Sequence, residues 1–323
     1  MLTAVTSEAP IAISLGDPAG IGPEVVVRAL ALRPGLRVRV FGDPIVLAAA
    51  AERAHVPHVA PEAVKVVTTL RPNEVVPGRP NDASARAQLA YLEAATEAVL
   101  SGEASALVTA PISKEWIARA GFTFPGHTEY LAARAGVSEF AMMLAGPKLR
   151  VVVATTHIAL RDVPTTLTPA GIASIITLTA EALARRFRVA RPRVAVAGLN
   201  PHAGEAGRFG DEETRLVEPA LALARSRVGA MGIDAAVTGP HVPDVVFRQA
   251  ANGAFDAVVA LYHDQGLIPV KLLHFDDAVN VTLGLPFVRT SPDHGTAFDI
   301  AGTGVARPDS FLAALDLAAR LVG

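Results

Sequence analysis

The stretch "IAISLGDPAGIGPEVVVRALAL" (Ile11–Leu32) joins a short apolar run to a longer segment through a glycine-rich turn. The first part has strand length, and the apolar residues after Pro23 recur at helical spacing. This combination predicts a β-strand followed directly by an α-helix, with Pro23 in the first turn of the helix. The glycine spacing matches neither the dinucleotide fingerprint nor the Walker A pattern, so it is only weak support for a phosphate-binding loop.

The same alternation recurs along the chain. "RVRVFGD" precedes "PIVLAAAAERA", "ALVTAPIS" precedes "KEWIARAG", and "RVAVAGLNP" precedes a helix predicted from about Asp211 to Arg227. Two further helices are predicted over Ala85–Leu100 and from Pro169, the latter with Thr168 as its N-cap. The segment Thr68–Asp82 is rich in proline and glycine and predicts a surface connection. Strands that alternate with helices predict an α/β fold with a largely parallel sheet.

Composition narrows the class of protein. The 323 residues, 51% of them apolar, suffice for two domains of ordinary size. The net charge of -2 argues against nucleic acid and membrane lipid as partners and favours a small molecule. The absence of cysteine excludes disulfides, thiolate metal sites and cysteine nucleophiles. "MLTAVTSEAP" does not resemble a secretory signal, and two prolines interrupt the longest uncharged stretch, Val163–Ala180, so we expect a cytoplasmic protein.

Three histidines follow three predicted strands. His157 comes after "RVVVATT", His202 after "RVAVAGLNP" and His263 after "DAVVALY". Ligands of parallel α/β sheets gather at the carboxyl ends of the strands, and three imidazoles leave a divalent ion with open positions. A single histidine after a strand is more often a loop donor or a helix cap, and the prediction depends on the pattern occurring three times. Asp264 could orient an imidazole or accept a proton, or it could cap the following helix.

Polar residues elsewhere suggest a binding site for an anion. His127 and Thr128 in "GHTEY" lie at a predicted helix N-terminus, which favours anions, although Thr128 could simply cap the helix. Lys271, Asn280 and Arg289 interrupt the apolar stretch "KLLHFDDAVNVTLGLPFVRT". Cations buried in such a stretch would need an anionic partner such as a phosphorylated substrate, and exposure of both cations is the alternative.

The chain resembles the PdxA family of 4-hydroxythreonine-4-phosphate dehydrogenases along nearly its whole length. The resemblance rests on "GDPAGIGPE", "TAPISK", "GHTEYLA", "ATTHIALRDV", "GLNPHAGE", "YHDQGLIPVK" and "VNVTLGLPFVRTSPDHGTAFDIAGTG", in that order. It implies a fold like that of isocitrate and isopropylmalate dehydrogenases, with two α/β/α layered domains and a cleft between them. We expect these domains at residues 1–135 with 290–323, and at 136–289. The chain departs from the usual family pattern at Ala206, His241 and Val245.

The resemblance also implies roles for individual residues. One divalent metal ion per site (zinc, magnesium, manganese or cobalt) would bind His157, His202 and His263. Substrate contacts are implied at His127, Thr128, Lys271, Asn280 and Arg289. Catalytic roles are implied for Asp264, Asp244 and Lys271. A nicotinamide cofactor, NAD with NADP as the alternative, would bind at His294, Gly295, Thr296 and Asp299.

The reaction implied is oxidation of 4-phosphooxy-L-threonine followed by decarboxylation to 3-amino-2-oxopropyl phosphate, in vitamin B6 biosynthesis. The resemblance further implies a homodimer with its active site at the subunit interface. We expect His157 and His202 from one subunit and His263 from its partner. The alternatives are a paralogous dehydrogenase acting on threonate or erythronate 4-phosphate, a three-histidine metal hydrolase, and a noncatalytic protein that binds a phosphorylated ligand.

Overall fold

The computed structural model describes residues 9–323, which divide into two compact units. The first contains residues 9–138 together with Leu285–Gly323, and the second is Glu139–Gly284. Arg289, which the sequence prediction assigned to the second domain, belongs to the first unit. Residues 1–8, which bear on the prediction about a secretory signal, lie outside the described residues.

The first unit begins with alternating strands and helices. They are β1 (Ile11–Ser14), α1 (Gly22–Ala31), β2 (Val38–Gly42), α2 (Pro44–Ala54), β3 (Val64–Val66), α3 (Asp82–Leu100), β4 (Ala106–Thr109), α4 (Lys114–Arg119) and α5 (His127–Ala135). The predicted strand–helix pairs β1–α1, β2–α2 and β4–α4 are confirmed. Helix α3 begins a little before the predicted residue 85, because the Asn81 side chain caps it by accepting a hydrogen bond from the Ser84 amide at 2.9 Å.

The second unit continues the chain. Its elements are β5 (Ala141–Ala145), β6 (Arg150–Val153), α6 (Val163–Thr166), α7 (Pro169–Arg185), β7 (Arg193–Ala197), α8 (Glu218–Ala230), β8 (Ala236–His241), α9 (Pro243–Ala251), β9 (Ala257–Ala260), α10 (His263–His274) and β10 (Val279–Leu283). Its strand order is β10-β5-β6-β9-β7-β8. The β10–β5 and β5–β6 pairs are antiparallel, and the remaining pairs are parallel.

One predicted helix is confirmed at its start and another is corrected. Helix α7 begins as predicted, with the Thr168 hydroxyl accepting a hydrogen bond from the Gly171 amide at 3.0 Å. The helix predicted from residue 211 is instead a π-helical turn, Glu213–Val217, followed by α8. Pro219 lies in the first turn of α8, where its missing N–H is tolerated, whereas in the interior of a longer helix it would remove a hydrogen bond.

The chain then returns to the first unit with β11 (Val288–Pro292) and α11 (Asp309–Val322). Strand order in this unit is β3-β2-β1-β4-β11, and every neighbouring pair is parallel. Strands β1, β4 and β11 are buried along their whole length, as expected for parallel strands covered on both faces. The predicted α/β fold with a largely parallel sheet is confirmed.

A membrane span requires a long apolar helix. Between residues 9 and 323, no single helix is long and apolar enough to cross a bilayer. One pair of helical segments, 160–166 and 169–185, meets the criteria of length and composition together, but the two are bent by 93°.

Candidate functional site

Two of the three predicted metal ligands lie side by side in one chain. Strands β6 and β9 are parallel neighbours, with Val153 opposite Ala260 at their carboxyl ends. His157 and His263 follow these ends, and their ring centroids lie 5.7 Å apart. Their spacing therefore follows directly from the register of the two strands.

His202 occupies a different position. It follows β7, which pairs with the other edge of β9, and its ring lies 6.1 Å from the ring of Phe209. Among residues 9–323, no three histidine, aspartate or glutamate side chains are grouped closely enough to hold a metal ion. Within one chain, the structure brings the rings of His157 and His263 close together, because β6 and β9 are adjacent.

Asp264 orients the neighbouring imidazole. Its Oδ1 lies 2.7 Å from Nδ1 of His263, and because a carboxylate only accepts, the ring donates from Nδ1. The side chain of Asp264 is 73% exposed and that of His263 is 34% exposed. The residue before α10, Tyr262, makes no side-chain cap, and the Asp264 carboxylate engages the ring instead of capping the helix. Hydrogen bonding of a ligating histidine to a carboxylate is the usual support for a metal ligand.

The buried side chain of Gln265 connects the carboxyl ends of β9 and β7, and the sequence analysis did not predict this role. Its side-chain oxygen accepts from the Leu261 amide at 2.7 Å, and its side-chain nitrogen donates to the Gly198 carbonyl at 2.7 Å. Gln265 therefore ties the end of β9 to the end of β7. The only signal in the sequence was a polar residue beside the His-Asp pair.

The first unit contains a cationic cavity of about 200 Å³. Arg289 on β11 contributes a guanidinium that is 3% exposed and donates to the Thr109 hydroxyl at 2.7 Å. Burial lowers the pKa of Arg289 to about 10, against an opposing effect of Glu129. The alternative in which Arg289 is exposed is therefore wrong.

His127 lines the same cavity as a neutral imidazole. Burial, then the charge of Arg289 and then that of Lys114 hold the pKa of His127 well below its ordinary range. His127 begins α5 as predicted, but Gly126 is the N-cap residue, so Thr128 does not cap the helix. Thr128 lies in the first turn of α5.

Three predicted site residues each carry a buried polar atom that has no hydrogen-bond partner in the structure: His127 Nε2, Asn280 Oδ1 and His294 Nε2. Asn280 lies on β10 opposite Leu144, within an otherwise apolar strand. Buried polar atoms are nearly always paired, so atoms left unpaired are those expected to receive a ligand.

The predicted cofactor segment follows β11 and is held by α1. The Ile21 amide donates to the Thr296 carbonyl at 2.9 Å, and the Gly302 amide donates to the buried Glu24 carboxylate at 2.5 Å. Arg28 donates to the Gly304 carbonyl at 2.6 Å. The motif "GDPAGIGPE" thus forms a tight strand–helix turn, as expected, and also anchors this loop. Gly295 and Asp299 in the loop are exposed.

Asp244, a predicted catalytic residue, and His241, a departure from the family pattern, lie near α9. Asp244 lies in the first turn of α9 and, together with Asp264, lines a cavity of about 610 Å³. His241 bonds Thr238 at 2.8 Å and packs its ring 4.9 Å from that of Phe255. Burial lowers the pKa of His241. The His241 side chain is therefore engaged within its own unit.

Helix α10 exposes a row of large apolar side chains. Ile268 is 58% exposed, Leu272 81% and Phe275, just after the helix, 78%. Lys271 lies on the same helix, half-buried, with its Nζ 6.0 Å from the Phe275 ring. Lys271 is therefore a helical residue, and not part of a buried strand. Exposed apolar patches of this kind mark surfaces that bind another protein.

Comparisons with known proteins agree along nearly the whole chain. Residues 28–318 match the family described as pyridoxal phosphate biosynthetic protein PdxA. A 4-hydroxythreonine-4-phosphate dehydrogenase of Desulfosudis oleivorans is 50% identical, covering 95% of this chain and 94% of the relative. A crystal structure of the enzyme of that name from Klebsiella pneumoniae superposes with a TM-score of 0.86 at 42% identity, covering 98% and 100% of the two chains.

A more distant solved structure shows the breadth of the fold. A terephthalate 1,2-cis-dihydrodiol dehydrogenase from Burkholderia xenovorans superposes with a TM-score of 0.70 at 32% identity, covering 97% and 98% of the two chains. The family match over residues 28–318 and the 50% identity to a named relative show the family: the chain belongs to the PdxA family of pyridoxal phosphate biosynthetic proteins.

Proposed function

We propose that this protein oxidises 4-phosphooxy-L-threonine with NAD or NADP and a divalent metal ion, and that decarboxylation then gives 3-amino-2-oxopropyl phosphate. The observation that carries the proposal is 50% identity, over nearly the full length, to a relative named for this dehydrogenase activity. The reaction would supply pyridoxal phosphate biosynthesis in the cytoplasm.

The substrate phosphate binds at the cationic cavity of the first unit. Arg289 is buried there beside the neutral imidazole of His127, and a guanidinium matches phosphate oxygens with paired donors. Asn280, with its unpaired Oδ1, and Thr128 and Lys271 make the remaining polar contacts to the substrate.

The metal ion is held by imidazole nitrogens. His157 and His263 have the donor type for zinc, cobalt or manganese, and their ring spacing of 5.7 Å suits two ligands of one ion. His202 would be the third ligand, and a homodimer would share the site between its two subunits. When bound, the ion would act as a Lewis acid toward the substrate oxygen, and the nicotinamide would accept a hydride.

The chain's own residues prepare this chemistry. Asp264 holds His263 in the tautomer that presents Nε2, since its carboxylate accepts from Nδ1 at 2.7 Å. Asp244 and Lys271 are the groups proposed to move protons. The loop at His294, Gly295, Thr296 and Asp299 binds the cofactor, and Glu24 fixes its backbone.

A homodimer brings the parts of the site together. The exposed side chains of Ile268, Leu272 and Phe275 supply the apolar surface that a twofold interface would bury. The same helix begins with His263, so dimer contacts along it place the metal ligands beside the second subunit.

A paralogous dehydrogenase is the second candidate. The solved dihydrodiol dehydrogenase at 32% identity shows that this fold serves another dehydrogenase. The substrates to compare are therefore 4-phosphooxy-L-threonine, threonate 4-phosphate and erythronate 4-phosphate.

Formation of reduced nicotinamide, followed by absorbance on this panel, tests the function. We expect turnover of the phosphooxythreonine, loss of activity after thorough chelation, and recovery on adding zinc, cobalt, manganese or magnesium. Turnover of only the threonate or erythronate ester would favour the paralogue. Undiminished activity of the demetallated protein would refute the role of the histidines.

Mixed dimers test the shared site and decide which histidines pair. Each single His→Ala variant is expected to be inactive alone. When His202→Ala and His263→Ala are refolded together, about half of the dimers are mixed and each has one intact site, so about a quarter of wild-type activity should return.

The matched control is a mixture of His157→Ala with His263→Ala. If these two histidines serve the same site from one chain, every mixed dimer lacks a ligand at both sites and no activity returns. Recovery in this control would instead support the split in which His263 faces His157 of the other subunit. Failure of both mixtures, with subunit exchange demonstrated, would place all three ligands in one chain.

A further inference from the structure

Lys114 lies at the cationic cavity of the first unit. It is the first residue of α4 and lines the cavity with His127 and Arg289. A Cβ atom placed on Gly126 would lie 3.8 Å from the Lys114 Nζ, so the ammonium group sits directly over the residue that precedes His127. The absence of a side chain at Gly126 keeps this approach open.

The backbone that carries Lys114 is fixed by a buried network. The Ser113 amide donates to Gln88 Oε1 at 2.9 Å, and the opposite end of the Gln88 side chain donates to Asp17 at 3.0 Å. Gln88 and Asp17 are fully buried. Although the Lys114 side chain is exposed, its point of attachment is therefore rigid.

Lys114 determines the sign of the net charge at this cavity. Arg289 carries one positive charge, and Glu129, whose Oε2 would lie 3.3 Å from the same added Cβ, carries one negative charge. His127 is neutral because burial and the two cations lower its pKa. Arg289 and Glu129 alone would nearly cancel, so the positive charge available to an oxyanion is that of Lys114.

We propose that Lys114 is a substrate-binding residue of this enzyme, whose ammonium group contacts the substrate phosphate together with Arg289. In the described part of the chain, no hydrogen bond or ion pair engages this ammonium group. A phosphate group carries close to two negative charges at neutral pH, which one guanidinium opposed by a carboxylate does not balance. The proposal rests on the proposed function for the identity of the phosphate ester, but not for the anion site itself.

Binding of inorganic phosphate, measured by isothermal titration calorimetry, tests the site without catalysis. Lys114→Met should weaken phosphate binding by about tenfold or more, the usual worth of one charged hydrogen bond. Lys114→Arg keeps the charge and should stay within about threefold of wild type. The matched control is Arg119→Met, which removes one exposed cation from the same helix and should change binding less than about twofold.

Steady-state kinetics of the same variants with the phosphooxythreonine substrate then give KM and kcat separately, with thermal unfolding as the check on folding. A raised KM in Lys114→Met that Lys114→Arg restores supports the proposal. Equal phosphate affinity in Lys114→Met and Arg119→Met would overturn it, as would a wild-type protein that shows no saturable phosphate binding. A protein that fails to oxidise this ester but binds phosphate through Lys114 would refute the proposed function and leave the anion site standing.

Discussion

The buried carboxylate of Asp17 makes the stability of this protein depend on pH in a direction opposite to that of most carboxylates. Oδ1 accepts from the Ala19 amide at 2.9 Å and Oδ2 from the Gln88 side chain at 3.0 Å. Burial nevertheless dominates these hydrogen bonds and raises the pKa of Asp17 from 3.8 to about 6. Replacement of Asp17 by Asn removes the titration while keeping the shape of the side chain.

The sign and size of this pH dependence of stability follow from proton linkage. Because the folded protein binds the Asp17 proton more tightly than the unfolded chain, the contribution of Asp17 to stability is fully present below pH 3.8 and is lost as the pH rises through about 6. A difference of about two pKa units corresponds to about 3 kcal/mol in the free energy of unfolding. About half of this falls between pH 5 and pH 7.

Denaturant unfolding of the wild type and of Asp17→Asn, measured side by side from pH 5 to pH 7, isolates this group because other titrations cancel. We expect the stability of the wild type relative to the variant to fall by about 1.4 kcal/mol over this range. The variant also faces the Gln88 donor with an amide, which adds a difference independent of pH. A constant difference between the two proteins across the range would refute the argument.

Three further perturbations have defined outcomes. At Asp256, burial favours the neutral carboxyl, but the hydrogen bonds and charge of Arg193 outweigh burial, so the pKa of Asp256 is lowered. The wild type should therefore be more stable than Asp256→Asn in denaturant unfolding, and this advantage should be lost as the pH falls through the lowered pKa. Arg289→Ala should raise the KM for the phosphorylated substrate by about 10- to 100-fold and disturb the dephosphorylated analogue far less, whereas equal losses would indicate a structural role. Leu272→Glu should shift the proposed dimer toward monomer in sedimentation, while Leu223→Glu on α8, also at an exposed leucine, should not.

The alternation of strands and helices could be predicted from the sequence because the apolar periodicity of each element depends only on neighbouring residues. β1 with α1 and β2 with α2 needed only a short apolar run followed by residues at helical spacing. The same local signal failed before α8, where the apolar pattern ran through the π-helical turn without a break. Helical periodicity does not distinguish the two kinds of turn over so few residues.

The partners of the histidines could not be predicted, because strand order is a long-range property. β6 and β9 are neighbours although more than a hundred residues separate them, and this neighbourhood brings His157 and His263 together. The positions of the histidines at strand ends were visible in the sequence, but their pairing was not. The roles of Glu24 and Arg28 were hidden for the same reason, since the loop that they hold lies near the other end of the chain.

Asp264 and Gln265 are adjacent in the sequence but have different structural roles. Successive residues of a helix point about 100° apart, so at the start of α10 one side chain faces outward and the next faces the sheet. Asp264 is 73% exposed and holds an imidazole, whereas Gln265 is 8% exposed and joins two strand ends. Replacement of Asp264 should therefore alter the proposed metal site with little loss of stability. Replacement of Gln265 leaves a buried amide and a buried carbonyl unpaired and should destabilise the strand ends that precede His202 and His263.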